Sequence, residues 1–264
     1  MRGRRIARVL ARRPNLRYPL GADFVTRLEG QTVRDVRRRA KYLLVELSSG
    51  EMLLMHLGMS GSFRTQSGPP TGGRYAENTP GEAWLAHDHV VFEMSSGETV
   101  IFNDPRRFGF MKLLPPGERG SDRTVASLGP EPLARTFTAD VLAAALRRRT
   151  TTLKAALSDQ RLVAGLGNIY IVEALHRARL SPKRRASTLV TTAGAPRPQV
   201  HSLVVAIKDV LREAIANAHR MYGEDRFRVY DKEGRRCPRR GCPGVIKRIV
   251  QGGRSTFFCP VCQR

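Results

Sequence analysis

All four cysteines of this 264-residue chain fall in its last 28 residues, as Cys237-x4-Cys242 and Cys259-x2-Cys262. Two close pairs separated by sixteen residues are the spacing of two knuckles that close one tetrahedral thiolate site. Two disulfides are the alternative, and a cytosolic-looking, otherwise cysteine-free chain of this size argues against them. Four thiolates leave no open coordination position, so a zinc ion there is structural. It holds up a segment too small to fold alone. The intervening PGVIKRIVQGGRSTFF contains no carboxylate and reads as a hairpin with Arg254 at its turn. A guanidinium on a rigid tip suits a phosphate or a base edge, and a solvated turn arginine is the bland alternative.

Charge sets the expected partner. The chain carries 46 Lys+Arg against 23 Asp+Glu, a net +23, with 41% hydrophobic residues. That balance points to a polyanion, with a membrane surface as the rival. No uninterrupted apolar run is long enough to span a bilayer. The start, MRGRRIARVLARR, is basic and lacks an apolar signal core, which argues for the cytosol; a basic amphipathic transit peptide is the alternative. Seven of the basic residues are lysines, and among them Lys41 stands behind three arginines in RRRAKYLL. Neighbouring cations and partial burial would lower its pKa and make it a candidate amine nucleophile or proton carrier. A phosphate-facing lysine on a basic edge is the plainer reading.

Along the chain the apolar period changes. Residues 4–113 are short Val/Leu/Ile/Phe runs broken by Gly, Ser, Pro or Asn, and SSGE occurs twice, at 48–51 and 95–98, each time between apolar runs as in a hairpin turn. This predicts an antiparallel sandwich or barrel, interrupted by a polar, mobile loop at 65–81. Residues 115–133 have the composition of a linker. Beyond them Thr138 caps ADVLAAALRRR, and TTLKAALSD, NIYIVEALHRARL and PQVHSLVVAIKDVLREAIANAHRM show helical spacing. No fixed-period repeat is present.

Several loops carry chemistry. GLGN at 165–168 places two glycines before a helix and predicts open backbone N–H groups for a phosphate. NDPRRFGF at 103–110 and HLGMSG at 56–61 put Arg106, Phe108 and Met59 in loops, as wedges for a DNA stack or as strand-end packing. HDH at 87–89 alternates at a strand start, which predicts one exposed and one core-facing histidine rather than a metal site.

RRAKYLL, HLGMSGSFR, HDHV, NDPRRFGF, LGPEPL, LKAALSDQRLVAGLGNIYIVEAL, VYDKEG and GRSTFFCPVCQR together resemble the formamidopyrimidine-DNA glycosylase family over nearly the whole chain. The resemblance implies an α+β multidomain fold: an N-terminal antiparallel β-sandwich (1–116), a helix–two-turns–helix domain (117–228) and a C-terminal zinc-finger β-hairpin (229–264). It implies one structural Zn2+, a monomer acting on damaged double-stranded DNA in a bacterial-type, nucleoid-associated cytoplasm, and no membrane partner. It implies excision of oxidised purines followed by nicking of the backbone. By position, Lys41 takes the role of the β-elimination lysine and Arg254 that of the finger arginine of δ-elimination. Asn168 matches a phosphate-binding asparagine and Lys154 a lysine near the lesion phosphates. His87, Arg106 and Arg149 match DNA contacts, with Arg149 where lysine is common. Met59, Arg106 and Phe108 match the trio that fills the hole left by the flipped base.

Two stretches depart from the family pattern. The family begins its chemistry from the amine of an N-terminal proline with a glutamate beside it, whereas this sequence starts Met1-Arg2-Gly3-Arg4-Arg5-Ile6. The expectation that follows is an upstream extension or fragment, or a damaged-DNA-binding protein without catalysis, or Lys41 as the imine-forming amine. At 218–231 a shortened AHRMYGEDRFRVYD replaces the family's longer glycine-containing loop over the flipped base. A zinc-ribbon protein for RNA or transcription is a third reading, disfavoured by the joint occurrence of NDPRRFGF, GLGNIY and the cysteine pairs.

Overall fold

The computed structural model describes residues 1–65, 71–72, 86–118, 121–217 and 227–264. The greater part of the 65–81 loop and of the 218–231 segment lies outside the described residues. The chain forms two compact units, Met1–Ala126 and Ser127–Arg264.

The first unit is built from β1 (Ile6–Ala11), α1 (Phe24–Leu28), β2 (Val33–Arg39), β3 (Tyr42–Leu47), β4 (Met52–His56), β5 (Ser62–Thr65), β6 (Thr71–Gly72), β7 (Asp88–Met94), β8 (Thr99–Asn103), β9 (Phe110–Leu114) and the single-turn α2 (Arg123–Ala126). One sheet has the order β2-β3-β4-β9 and the other β1-β7-β8-β5-β6, antiparallel throughout. Both SSGE segments join paired neighbours, β3 to β4 and β7 to β8. The inward positions of the two sheets share one core that includes Ile6, Val45, Leu53, Met55, Phe92, Phe102 and Met111. Burying a side chain of this size contributes about 1.5–3 kcal/mol. The helix α1 closes this core with Phe24 and Leu28, an element that alternating strand patterns do not reveal.

The second unit holds α3 (Ala139–Leu146), α4 (Leu153–Ser158), α5 (Asn168–Arg177), a 3-10 turn (Ala186–Leu189), α6 (Pro198–Ala216) and the hairpin β10 (Lys247–Gln251) and β11 (Arg254–Phe258). Thr138 caps α3 by accepting from the Val141 N–H, and Thr152 caps α4 by accepting from the Ala155 N–H, each at 3.3 Å. The helix α3 stops at Leu146, so Arg147–Arg149 leave it instead of extending it. The buried faces of α3, α4, α5 and α6 form one core with Leu142, Leu153, Leu175, Leu203 and Ile207. A second, smaller cluster joins Val172 of α5 to Val229, Ile246, Phe257 and the cysteines of the hairpin. Among the described residues no helix is long and apolar enough to cross a membrane.

Candidate nucleic-acid interface and metal centre

The sandwich unit brings two loops together. Gly58, between β4 and β5, has φ +66°, and a Cβ there would lie 2.4 Å from the carbonyl carbon of Phe108. Only glycine allows the Met59 loop to rest on the backbone of the β8–β9 loop. Asp104, fully buried, fixes that contact. Its Oδ2 accepts the Gly109 N–H at 2.7 Å, and its Oδ1 accepts the Ser60 hydroxyl. The Ser60 oxygen in turn accepts the Arg106 N–H at 3.2 Å. The Asp104 N–H donates to the His87 carbonyl at 3.0 Å, and its carbonyl bonds the ring of His89 at 2.9 Å. On this buried frame Met59 is 52% exposed and Phe108 42%, with the Arg106 guanidinium 4.7 Å over the Phe108 ring. Apolar side chains that remain exposed on a rigid base are suited to insertion between bases. Of the HDH residues, His89 is buried as the core-facing histidine, but His87 is half-buried rather than exposed and Asp88 is buried as well.

Lys41 follows Ala40, whose φ is +53°, in the turn between β2 and β3. Its side chain is exposed, so the partial burial invoked by the amine-nucleophile alternative is absent. Beside it lies His56, a residue to which the sequence reading gave no role. The His56 ring stacks on Phe110 at 5.7 Å and tilts against Tyr42 at 5.0 Å. Its Nδ1 accepts the Gly58 N–H at 2.9 Å. Burial, then the charges of Lys41 and Arg17, push the imidazole down to about 4, so it is neutral at physiological pH. The aromatic cluster thus joins the Lys41 turn to the Met59 loop. The signal for it, a histidine ending a strand directly before a glycine turn, was present in HLGMSG.

In the second unit the cysteine hairpin docks on the helices. Gly252 and Gly253, both with positive φ, turn β10 into β11 and leave Arg254 exposed at the tip. Lys154, 2% exposed as a residue, donates through its ammonium to the Gln251 carbonyl at 3.0 Å. Burial and then the Arg254 charge lower its pKa. Asn168, the first residue of α5, donates through Nδ2 to the Ser255 carbonyl at 2.9 Å. Lys154, Asn168 and Arg254 therefore converge on residues 251–255, and two cations side by side attract an anion such as a phosphate. Of the two GLGN glycines, Gly165 does not offer an open N–H: it donates to Gln160 Oε1 at 2.9 Å. Arg149 stands apart from this trio, exposed and 4.0 Å from Asp159.

The four cysteine sulfurs lie within 4.8 Å of one another and form no disulfide. Cys237–Cys262 is 3.8 Å and Cys242–Cys259 3.6 Å. A tetrahedron of zinc–sulfur bonds of about 2.3 Å has edges of about 3.8 Å, so the donor set fits that ion. A Cβ on Gly244 would lie 2.5 Å from Cys259 Sγ, which keeps the second knuckle's neighbour side-chain-free. Gln263 ties the site to the helices: its Oε1 accepts the Cys259 N–H at 2.8 Å and its Nε2 donates to the Leu180 carbonyl at 2.9 Å. Glu173 of α5 does the same from the other side, accepting the N–H groups of Arg228, Val229 and Tyr230 at 2.9–3.0 Å.

Residues 1–111 match the model of the formamidopyrimidine-DNA glycosylase N-terminal domain, residues 128–223 that of the family's H2TH domain, and residues 234–264 the zinc finger found in that glycosylase and in IleRS. A formamidopyrimidine-DNA glycosylase from Rhodopseudomonas palustris (strain BisB18) is 55% identical over 276 residues, covering 100% of this chain and 94% of that protein. One from Azorhizobium caulinodans is 53% identical, covering 96% and 91%. Among solved structures, the Lactococcus lactis enzyme bound non-covalently to DNA containing an AP site has a TM-score of 0.81 at 30% identity, covering 99% and 93%. A MutM complex with DNA containing carbocyclic 8-oxo-G has a TM-score of 0.82 at 30% identity, also over 99% and 93%.

Proposed function

The chain belongs to the formamidopyrimidine-DNA glycosylase family, and from that premise we propose that it excises oxidised purines from duplex DNA and nicks the strand at the resulting abasic site. The observation that carries this reading is the joint presence of all three family domains with a relative 55% identical across the full chain. The protein acts as a monomer on chromosomal DNA in the cytoplasm, with one structural zinc ion held by Cys237, Cys242, Cys259 and Cys262.

The roles follow from side-chain chemistry. Arg254, Lys154 and Asn168 engage phosphates of the damaged strand, supported by their convergence at the hairpin tip. His87, Arg106 and Arg149 add DNA contacts. Met59 and Phe108 enter the stack as the base swings out, and Arg106 covers the ring from above. An amine attacks C1′ as the base leaves with a proton, giving an imine to the opened sugar. Loss of the C2′ proton then expels the 3′ phosphate, a step that Lys41 assists, and Arg254 assists expulsion of the 5′ phosphate. Zinc, when bound, supplies only rigidity to the hairpin that carries Arg254.

Incubation with a duplex holding a single 8-oxoguanine tests the proposal. Release of the base with strand cleavage at that position is the expected result. A duplex that stays intact under conditions of saturating binding contradicts it.

A further inference from the structure

His176 sits in the last turn of α5 with 1% of its surface exposed. Its Nε2 is 3.4 Å from the sulfur of Cys237, and its Nδ1 is buried with no hydrogen-bond partner. The His176 carbonyl accepts from the Arg239 guanidinium at 2.7 Å, which anchors the first cysteine knuckle to the same turn. The tautomer follows from these contacts. A proton on Nδ1 would leave a buried donor unpaired and turn a lone pair towards the sulfur, both unfavourable. A proton on Nε2 puts a donor against the sulfur and leaves only a bare acceptor unpaired.

We propose that His176 is an outer-shell positioning residue of the metal centre, donating its Nε2–H to the Cys237 thiolate. The role goes beyond the DNA reaction and rests on the zinc assignment alone. A zinc-bound thiolate keeps part of its negative charge, and a buried N–H compensates it where water has no access. The geometry also joins metal to interface. The helix that offers His176 to Cys237 at its C-terminal end offers Asn168 to Ser255 at its N-terminal end. One rigid element therefore spans from the zinc site to the hairpin tip.

Transfer of zinc from the full chain to a chromophoric chelator reads the proposal. His176→Phe fills similar space without a donor and should give up its metal about tenfold more readily, the low end of outer-shell effects. His176→Gln, which restores an N–H, should recover part of the difference. In the cobalt-substituted protein, loss of the hydrogen bond raises the energy of the sulfur lone pairs, so the thiolate-to-cobalt charge-transfer band of His176→Phe should move to longer wavelength. A purely packing role would not move that band. Should His176→Phe fail to fold, the unmutated zinc-loaded protein still decides: nitrogen-15 spectra of its histidines should show His176 protonated on Nε2 and bare on Nδ1. A proton on Nδ1, or an unmoved band with unchanged zinc retention, overturns the proposal.

Discussion

Asp104 shows how a single buried carboxylate can control exposed wedges it never meets. It holds Gly109 directly and Arg106 through Ser60, and those two residues flank Phe108 in sequence. Replacing Asp104 with Asn removes one acceptor from a buried network, at a cost of about 1–3 kcal/mol. We expect Asp104→Asn to weaken binding to an abasic duplex while leaving its salt dependence unchanged, because no phosphate contact is lost. A steeper or shallower salt slope in a binding titration would contradict this. Lys41→Ala should bind the same duplex nearly as well as the parent but cut it far more slowly, measured as strand cleavage under single-turnover conditions. His56 gives a pH signature. The fold keeps it neutral down to about 4, whereas the unfolded chain takes up the proton near 6.5. The unfolded state holds the extra proton between these values, so stability falls as pH drops from 6.5 towards 4. Thermal unfolding at pH 7 and pH 5 should show a smaller loss in His56→Gln than in the parent. At this scale the sequence made residue types legible but not burial. Lys154 is 2% exposed while Lys41 is exposed, a difference set by which distant element packs nearby and without a mark in the local sequence.

At the scale of elements, α5 and the cysteine hairpin form a single working piece. Glu173, His176 and Asn168 are spaced along one helix, and each contacts the hairpin or the chain leading to it. Glu173→Gln exchanges a charged acceptor of three backbone N–H groups for a neutral one. Hydrogen bonds to charged groups contribute about 1.5–3 kcal/mol each, so the hairpin should loosen. Amide exchange at Val229 and Tyr230 should accelerate in this variant while exchange in β7 and β8 stays as in the parent. Cys259→Ala should abolish DNA binding by the same route, with the sandwich strands still protected. Equal loss of protection in both regions would argue against a separately organised hairpin. The strands, the helices and the cysteine pairs were legible from period and spacing. The helix α1 and the seat of the hairpin on α5 were not, since a five-residue helix has too few positions to show a period and docking leaves no local signature.

For the molecule as a whole, the net charge of +23 has a measurable consequence. Arg106, Arg149, Lys154 and Arg254 are the four cations that the proposed function places on DNA, and neutralising four phosphates would release counterions with a log–log salt slope of roughly −3.6. A flat response would remove the basis for a phosphate-tracking interface. Period and spacing pointed to strands followed by helices and to the metal site, whereas the three-domain architecture and the lesion chemistry rested on the resemblance of the joined motifs to the family, whose three domain models match the chain. The most direct test of the central claim is borohydride trapping on a duplex with one abasic site, run with this chain and with a form that carries the family's N-terminal start, with its proline and glutamate, upstream. The account predicts a covalent protein–DNA adduct, since an imine at C1′ is the obligatory intermediate of base excision coupled to strand cleavage. Binding to that duplex without an adduct from either form would contradict it.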